Sequence, residues 1–112
     1  MTAHTLPAAV RRDALSRSAL FARIPGEALG VLAEMMDSEF LQSGDTLFAR
    51  GEPSDRVYLV VGGQLSIFLE DGREAVRRLG PGELLGEYGM FAGHTRTATV
   101  RAEEEASLLS LD

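Results

Sequence analysis

The sequence predicts a mainly β domain of eight strands, folded as a sandwich or barrel and preceded by two α-helices. Three observations carry this expectation. From Glu39 onward, short apolar runs alternate with turns at Gly44, Gly51, Gly62-Gly63, Asp71-Gly72 and Gly80-Pro81-Gly82. Their spacing of about 8–12 residues is that of an all-β sandwich or barrel. Ahead of Glu39 the apolar residues recur at helical spacing instead. The length, 112 residues, is that of one domain with one small core.

Pro7 opens the first helix, because its fixed φ suits a first turn. Val10, Ala14 and Phe21 mark a weak apolar stripe along it, and the break falls at Arg23-Ile24-Pro25-Gly26. The second helix carries Leu29, Leu32, Ala33 and Met36 at i, i+3, i+4 and i+7, one face of a helix, and ends around Asp37-Ser38. Both helices are expected to pack rather than to hold a ligand. Strands are expected at 40–41, 46–49, 57–61, 65–69, 75–79, 83–86, 98–101 and 106–111. Asp71-Gly72 is the strongest hairpin turn, since both central positions tolerate φ > 0. Leu65, Ile67 and Leu69 alternate with Ser66 and Phe68, giving that strand one apolar face. Glu103-Glu104-Glu105 reads as a solvated turn.

Composition narrows the function. Cysteine is absent, so there is no disulfide framework and no thiolate chemistry, which fits a reducing compartment. Net charge is −6 and every basic residue is arginine. Such a chain is a poor partner for nucleic acid or an anionic membrane. No apolar run approaches the ~20 residues of a membrane span. Residues 1–24 are arginine-rich and nearly free of acids, superficially like a transit peptide. The passage of Leu20-Phe21 directly into the next helix favours an ordinary surface helix. The two histidines, His4 and His94, are far apart, so the tandem His-x-His pattern of metal-binding cupins is missing. Glu83 and Glu87 are paired carboxylates without a nucleophile–base pair, which leaves hydrolysis unsupported. Neither an enzyme nor a metal or cofactor site is expected.

The functional signal lies in Gly86-Glu87-Tyr88-Gly89-Met90-Phe91-Ala92-Gly93-His94-Thr95-Arg96-Thr97-Ala98. A glycine-flanked carboxylate leads into one short amphipathic turn, then one arginine ahead of the β-branched run Thr97-Ala98-Thr99-Val100. Short turns with free N–H groups attract anions, and arginine adds a planar fork that matches phosphate oxygens. Glu87 is unsuited to phosphate but suited to a hydroxyl donor such as a ribose. Anion site and hydroxyl acceptor together read as a nucleotide pocket. Plainer readings stand beside this one. Arg96 equally suits a surface ion pair with Glu87 or Glu83. Glu87 suits the first turn of a short helix through the dipole. Gly86 and Ala98 either let backbone approach a ligand or form a tight turn. Thr97 is either a hydroxyl at the site or a β-branched residue opening a strand. His94 reads as a solvent-exposed loop residue.

This segment resembles the phosphate-binding cassette of the cyclic nucleotide-binding domains of catabolite-activator-like regulators, cyclic-nucleotide-dependent kinases and gated channels. The family pattern is Phe-Gly-Glu-Leu-Ala-Leu followed by Arg-(Thr/Ser/Ala)-Ala. It stands here as Leu85-Gly86-Glu87-Tyr88-Gly89-Met90 and, after a four-residue spacer beyond Phe91, Arg96-Thr97-Ala98. Leu85 replaces the usual aromatic, and Tyr88 replaces a usual leucine and adds a hydroxyl. Gly44-Asp45, Gly51 and Tyr58-Leu59-Val60-Val61-Gly62-Gly63 extend the likeness from about Leu20 to Leu111.

The resemblance implies an eight-stranded antiparallel jelly-roll (a double-stranded β-helix, or cupin-like β-roll) with N-terminal helices and a short cassette helix. Residues 1–24 would be a helical leader and 25–112 the cyclic nucleotide-binding β-roll. It implies a cytoplasmic, non-enzymatic sensor that binds cAMP, cGMP or both as ligand and relays occupancy to an effector outside this chain. It allows a homodimer. The ligand-binding residues it implies are Gly86, Glu87, Tyr88, Arg96, Thr97 and Ala98. Arg96 would pair with the cyclic phosphate and Glu87 would accept from the ribose 2′-hydroxyl. Gly86 and Ala98 would offer close approach and backbone N–H groups. A hydroxyl at Thr97 resembles the arrangement that favours guanine, though threonine there also accompanies cAMP. The family closes its site with a C-terminal lid helix, and the sequence ends at Asp112 where that helix begins. Either the chain belongs to a longer regulator or the lid comes from another chain. The rival expectation is a degenerate domain of the same fold, a structural or docking module without nucleotide, against which Glu87 and Arg96 both speak.

Overall fold

Side-chain alternation along the strands decides how the chain divides into layers. The structure, a computed structural model, describes residues 5–19, 21–53, 56–68, 75–85 and 95–111. Two helices, α1 (Ala8–Arg17) and α2 (Gly26–Met35), come first. Among the described residues eight strands follow: β1 (Asp37–Leu41), β2 (Thr46–Phe48), β3 (Val57–Gly62), β4 (Leu65–Phe68), β5 (Ala75–Leu79), β6 (Leu84–Leu85), β7 (Thr99–Ala102) and β8 (Ala106–Leu111). They form two four-stranded sheets, ordered β1-β8-β3-β6 and β2-β7-β4-β5. Every ladder is antiparallel. Two packed antiparallel sheets of this kind are the expected jelly-roll β-roll. The short cassette helix and the Asp71-Gly72 turn lie outside the described residues.

Tyr58 and Val60 of β3 point between the sheets, sharing one core with Leu65, Leu79, Leu85, Val100, Ala102 and Leu108. The alternate residues Leu59 and Val61, with Leu109 and Leu111 of β8, face the opposite way. There they share a second core with Ala14 and Leu15 of α1 and Leu29 and Ala33 of α2. The first sheet is therefore apolar on both faces. That is why 57–61 reads as an unbroken apolar run rather than an alternating one. The second sheet keeps Leu65 and Ile67 inside, while Phe68 on its outer face lies 5.1 Å beneath the Arg101 guanidinium.

Pro7 precedes α1 as expected, but the stripe differs. Ala14 and Leu15 are the buried residues of the helix, and Val10 is exposed. Phe21 lies beyond it because Ser18 turns extended and its carbonyl accepts from Phe21 and Ala22 N–H, reversing the chain. Phe21 packs on the helical core from this turn. α2 also stops earlier than its periodicity suggests. Met36 is its C-cap, and Asp37-Ser38 open β1 by pairing with Ser110 and Leu109 of β8. Arg11 Nη1 of α1 donates to the Ala33 carbonyl at 2.9 Å, serving one of the last-turn carbonyls that no helix can satisfy itself. Gly63 sits at φ 84°, and a Cβ there would stand 2.7 Å from the Ala106 Cα, so the turn into β4 requires glycine. The 103–105 turn is exposed, as expected, with Glu103 accepting from Arg78 Nε at 2.7 Å. Among the described residues no helix is long and apolar enough to cross a membrane.

Candidate functional site

The turn at 49–53 and the segment 95–98 are stitched together at the mouth of the roll. Gly51 adopts φ 94°, which a glycine tolerates, and this bends the turn back. Glu52 Oε1 accepts from the Ala49 N–H at 2.9 Å and closes the turn locally. Two backbone hydrogen bonds then hold Arg96 from both sides. Its carbonyl accepts from Gly51 N–H at 2.9 Å, and its N–H donates to the Glu52 carbonyl at 2.7 Å. A bridge between Pro53 and Thr95 and a bond from Arg50 N–H to Thr99 Oγ1 at 3.0 Å flank this pair. The main chain of Arg96 is thus fixed before its side chain does anything.

That side chain turns inward and is only 5% exposed. Its guanidinium carbon stands 4.1 Å from the Phe48 ring centroid and 5.7 Å from that of Tyr58. The two rings lie 5.9 Å apart. Nη2 donates to the Arg56 carbonyl at 2.8 Å. Nε and Nη1 are buried, with no hydrogen-bond partner among the described residues. No described carboxylate pairs with this cation. The contrast with other arginines is direct. Arg17 pairs with Asp13, Arg56 with Asp37 and Glu39, Arg77 with Glu83, and Arg78 with Glu103. The surface ion pair between Arg96 and Glu83 that the sequence allowed is not formed. Glu83 accepts from Arg77 Nη2 at 3.0 Å and from Gly80 N–H at 2.7 Å instead.

Beside Arg96 opens a cleft of about 600 Å³ lined by Arg50, Gly51, Thr95, Arg96, Thr97 and Thr99. Thr97 is exposed on this cleft, and Ala98 is buried behind it. The structure therefore brings Arg96, Thr97 and Ala98 together at one mouth. Gly86, Glu87 and Tyr88 lie outside the described residues, as does His94. Phe48, Tyr58 and the Arg56 carbonyl were not anticipated from sequence. No group of three or more potential metal-ligating side chains occurs among the described residues. What is described can accept an anion: a buried cation with open donors next to a solvent-connected cleft.

Residues 38–112 match the family model of the cyclic nucleotide-binding domain. The CRP-like cAMP-activated global transcriptional regulator of Mycobacterium tuberculosis is 30% identical over 103 residues, 89% of this chain. The chain spans 46% of that regulator's length. The crystallised N-terminal domain of a transcriptional regulator from Streptomyces coelicolor A3(2) superimposes with a TM-score of 0.81 at 40% identity, covering 88% of this chain and 73% of that one. The regulatory domain of Toxoplasma gondii PKA, co-crystallised with cAMP, superimposes with a TM-score of 0.84 over 94% of this chain and 42% of that one. At 19% identity that likeness is one of fold. The chain belongs to the cyclic nucleotide-binding domain family, a regulatory rather than a catalytic fold.

Proposed function

We propose that this chain, as a cyclic nucleotide-binding domain, senses cAMP or cGMP by taking the cyclic phosphate on Arg96. The observation that carries this is the buried Arg96 guanidinium, with Nε and Nη1 unpartnered among the described residues beside an open cleft. A buried charge without a partner is expensive. An arginine held in place at that cost is best explained by an anion that arrives from outside. The Mycobacterium tuberculosis relative is described as cAMP-activated and the Toxoplasma gondii domain was crystallised with cAMP, which makes cAMP the first ligand to test.

In this reading Glu87 accepts from the ribose 2′-hydroxyl. Gly86 and Ala98 let backbone approach the phosphate, Tyr88 lines the site, and Thr97 offers a hydroxyl to phosphate or base. The nucleotide is a ligand, not a cofactor, and no bond is made or broken. Occupancy shifts a conformational equilibrium and reaches an effector outside these 112 residues. With a net charge of −6, nucleic-acid contact would fall to that effector rather than to this chain.

Calorimetric titration with cAMP, cGMP and 5′-AMP, beside Arg96→Ala, tests the reading. Saturable binding of a cyclic nucleotide that the substitution removes is the expected result. Absence of binding to both cyclic nucleotides would leave a missing lid helix or a degenerate site, and titration of a longer chain that includes the next helix separates them: recovered binding means the lid, continued silence a degenerate docking module.

A further inference from the structure

We infer that Phe48 is a positioning residue of the anion site: its ring seats the Arg96 guanidinium so that the donor edges, not the faces, are presented to a phosphate. The inference rests on the cyclic nucleotide reading for its ligand but on geometry for its substance. A guanidinium is a flat cation with two faces and donors around its rim. Cation–π attraction holds a cation over the face of an aromatic ring, within about 6 Å of its centroid, and an approach as close as that of Arg96 to Phe48 fits a guanidinium laid flat on the ring. Phe48 meets this condition closely at 4.1 Å, and Tyr58 meets it at 5.7 Å. Hydrogen bonds to phosphate run in the plane of the guanidinium, at right angles to the stacking direction. The two interactions therefore do not compete.

One rim position is already fixed, since Nη2 donates to the Arg56 carbonyl. Ring below and carbonyl at one edge leave little freedom to the guanidinium. Nε and Nη1 remain for an incoming anion. The seat replaces a carboxylate, which would hold the arginine equally well but would neutralise it. An aromatic ring orients the cation and leaves its charge available. Phe48 reaches Arg96 because β2 pairs with β7, with Phe48 opposite Val100, and Arg96 lies just ahead of β7.

The test uses Phe48→Leu, which keeps apolar bulk but removes the ring, and Phe48→Tyr, which keeps the ring. Far-UV circular dichroism first establishes that each folds. In nitrogen-15 spectra the Arg96 Hε proton should lie upfield through the ring current in the unsubstituted chain and in Phe48→Tyr, and lose that shift in Phe48→Leu. Calorimetry with cAMP should give affinity about tenfold weaker for Phe48→Leu and near that of the unsubstituted chain for Phe48→Tyr. In an Arg96→Lys background, which keeps a cation but has no planar guanidinium to seat, the change from Phe48→Leu should shrink. Unchanged affinity for Phe48→Leu would overturn the inference. So would tighter binding, because the ring would then compete with the ligand. So would equal loss in both backgrounds, because the ring would then serve packing alone. If the unsubstituted chain binds neither cAMP nor cGMP, the nucleotide reading fails separately. Titration with inorganic phosphate then decides: movement of Arg96 Hε in the unsubstituted chain but not in Phe48→Leu upholds the seat, and no movement in either overturns it.

Discussion

Replacing Arg96 by methionine should weaken ligand binding at least about 30-fold at little cost to the ligand-free fold. Methionine has similar reach, and its thioether packs on aromatic rings for roughly 0.3–1.5 kcal/mol. It can therefore occupy the seat made by Phe48 and Tyr58. The substitution loses a charge-assisted hydrogen bond to the Arg56 carbonyl, about 1.5–3 kcal/mol. It also exchanges a desolvated cation–π contact of about 2 kcal/mol for the weaker sulfur–ring contact. Against this, it removes two buried donors without described partners, each costing about 1–3 kcal/mol. The midpoints of these ranges, about 3 kcal/mol lost and about 4 kcal/mol gained, nearly cancel, so the ligand-free stability should change by about 2 kcal/mol or less. In a domain of this size that is a shift of at most about 10 °C in melting midpoint. Affinity should fall far more. Leaving a phosphate desolvated and unpaired costs about 2–5 kcal/mol, or about 30-fold to 4,000-fold. Thermal melts of both chains, with and without saturating cAMP, read both quantities. The unsubstituted chain should gain a ligand-dependent rise in midpoint and the variant should not. A ligand-free midpoint that collapses by 20 °C or more would refute the reasoning, because Arg96 would then be a structural strut. So would a variant that retains the full ligand-dependent rise.

Three further outcomes follow from the same geometry. If Glu87 accepts the 2′-hydroxyl, 2′-deoxy-cAMP should bind at least about tenfold more weakly than cAMP, and calorimetry on Glu87→Gln should narrow that gap. Thr97→Ala removes a hydroxyl exposed on the cleft, so the ratio of cGMP to cAMP affinity should fall in competition titrations. An unchanged ratio would reduce Thr97 to a strand residue. Gly63→Ala forces a Cβ against the Ala106 backbone at φ 84°, and should cost at least about 1–3 kcal/mol in denaturant melts while leaving the Arg96 site chemistry alone.

Strand positions were legible because glycine turns punctuate them and because their apolar runs have strand length. All eight runs named from the sequence contain or overlap an observed strand. The helices were legible in place but not in their ends. Periodicity ran through Met36 and Asp37, while pairing of Asp37 with Ser110 in β8 took that backbone into a sheet. Such a contact spans most of the chain and leaves no local trace. The same reason hid Phe48 and Tyr58. Each reads as an ordinary inward-facing strand residue, and only the pairing of β2 with β7 and the packing of Tyr58 against Phe48 between the sheets bring both rings to Arg96. Arg56 was hidden differently, since it contributes a main-chain carbonyl that any residue could supply. The Glu83 alternative failed for a local reason. A carboxylate three residues after Gly80 finds that N–H within its own turn before it can reach across the roll.

On the sensor reading, β3 is the element that carries occupancy outward. Arg56, the residue just ahead of it, accepts from Arg96 through its carbonyl, and the Tyr58 ring centroid lies 5.7 Å from the same guanidinium carbon. Beyond them, Leu59 and Val61 of the same strand belong to the core that holds α1 and α2. The Arg56 guanidinium reaches Ser110 Oγ at 2.6 Å and Asp37 Oδ2 at 3.2 Å. Asp37 begins β1, and a single residue, Met36, separates it from α2. Close-packed interiors pass small displacements on rather than absorb them. A ligand with equal affinity for both arrangements would shift nothing, however tightly it bound. The difference has to arise where the ligand's contacts change most between states, and the Arg96 donors that have no partner among the described residues are such a place. A phosphate that accepts from Nε or from Nη1 draws the guanidinium toward itself. The Arg56 carbonyl, the inner rings and the helix-facing side of β3 must follow or resist. Sensing would then require no direct contact between nucleotide and helix, only a strand whose two faces answer to different neighbours.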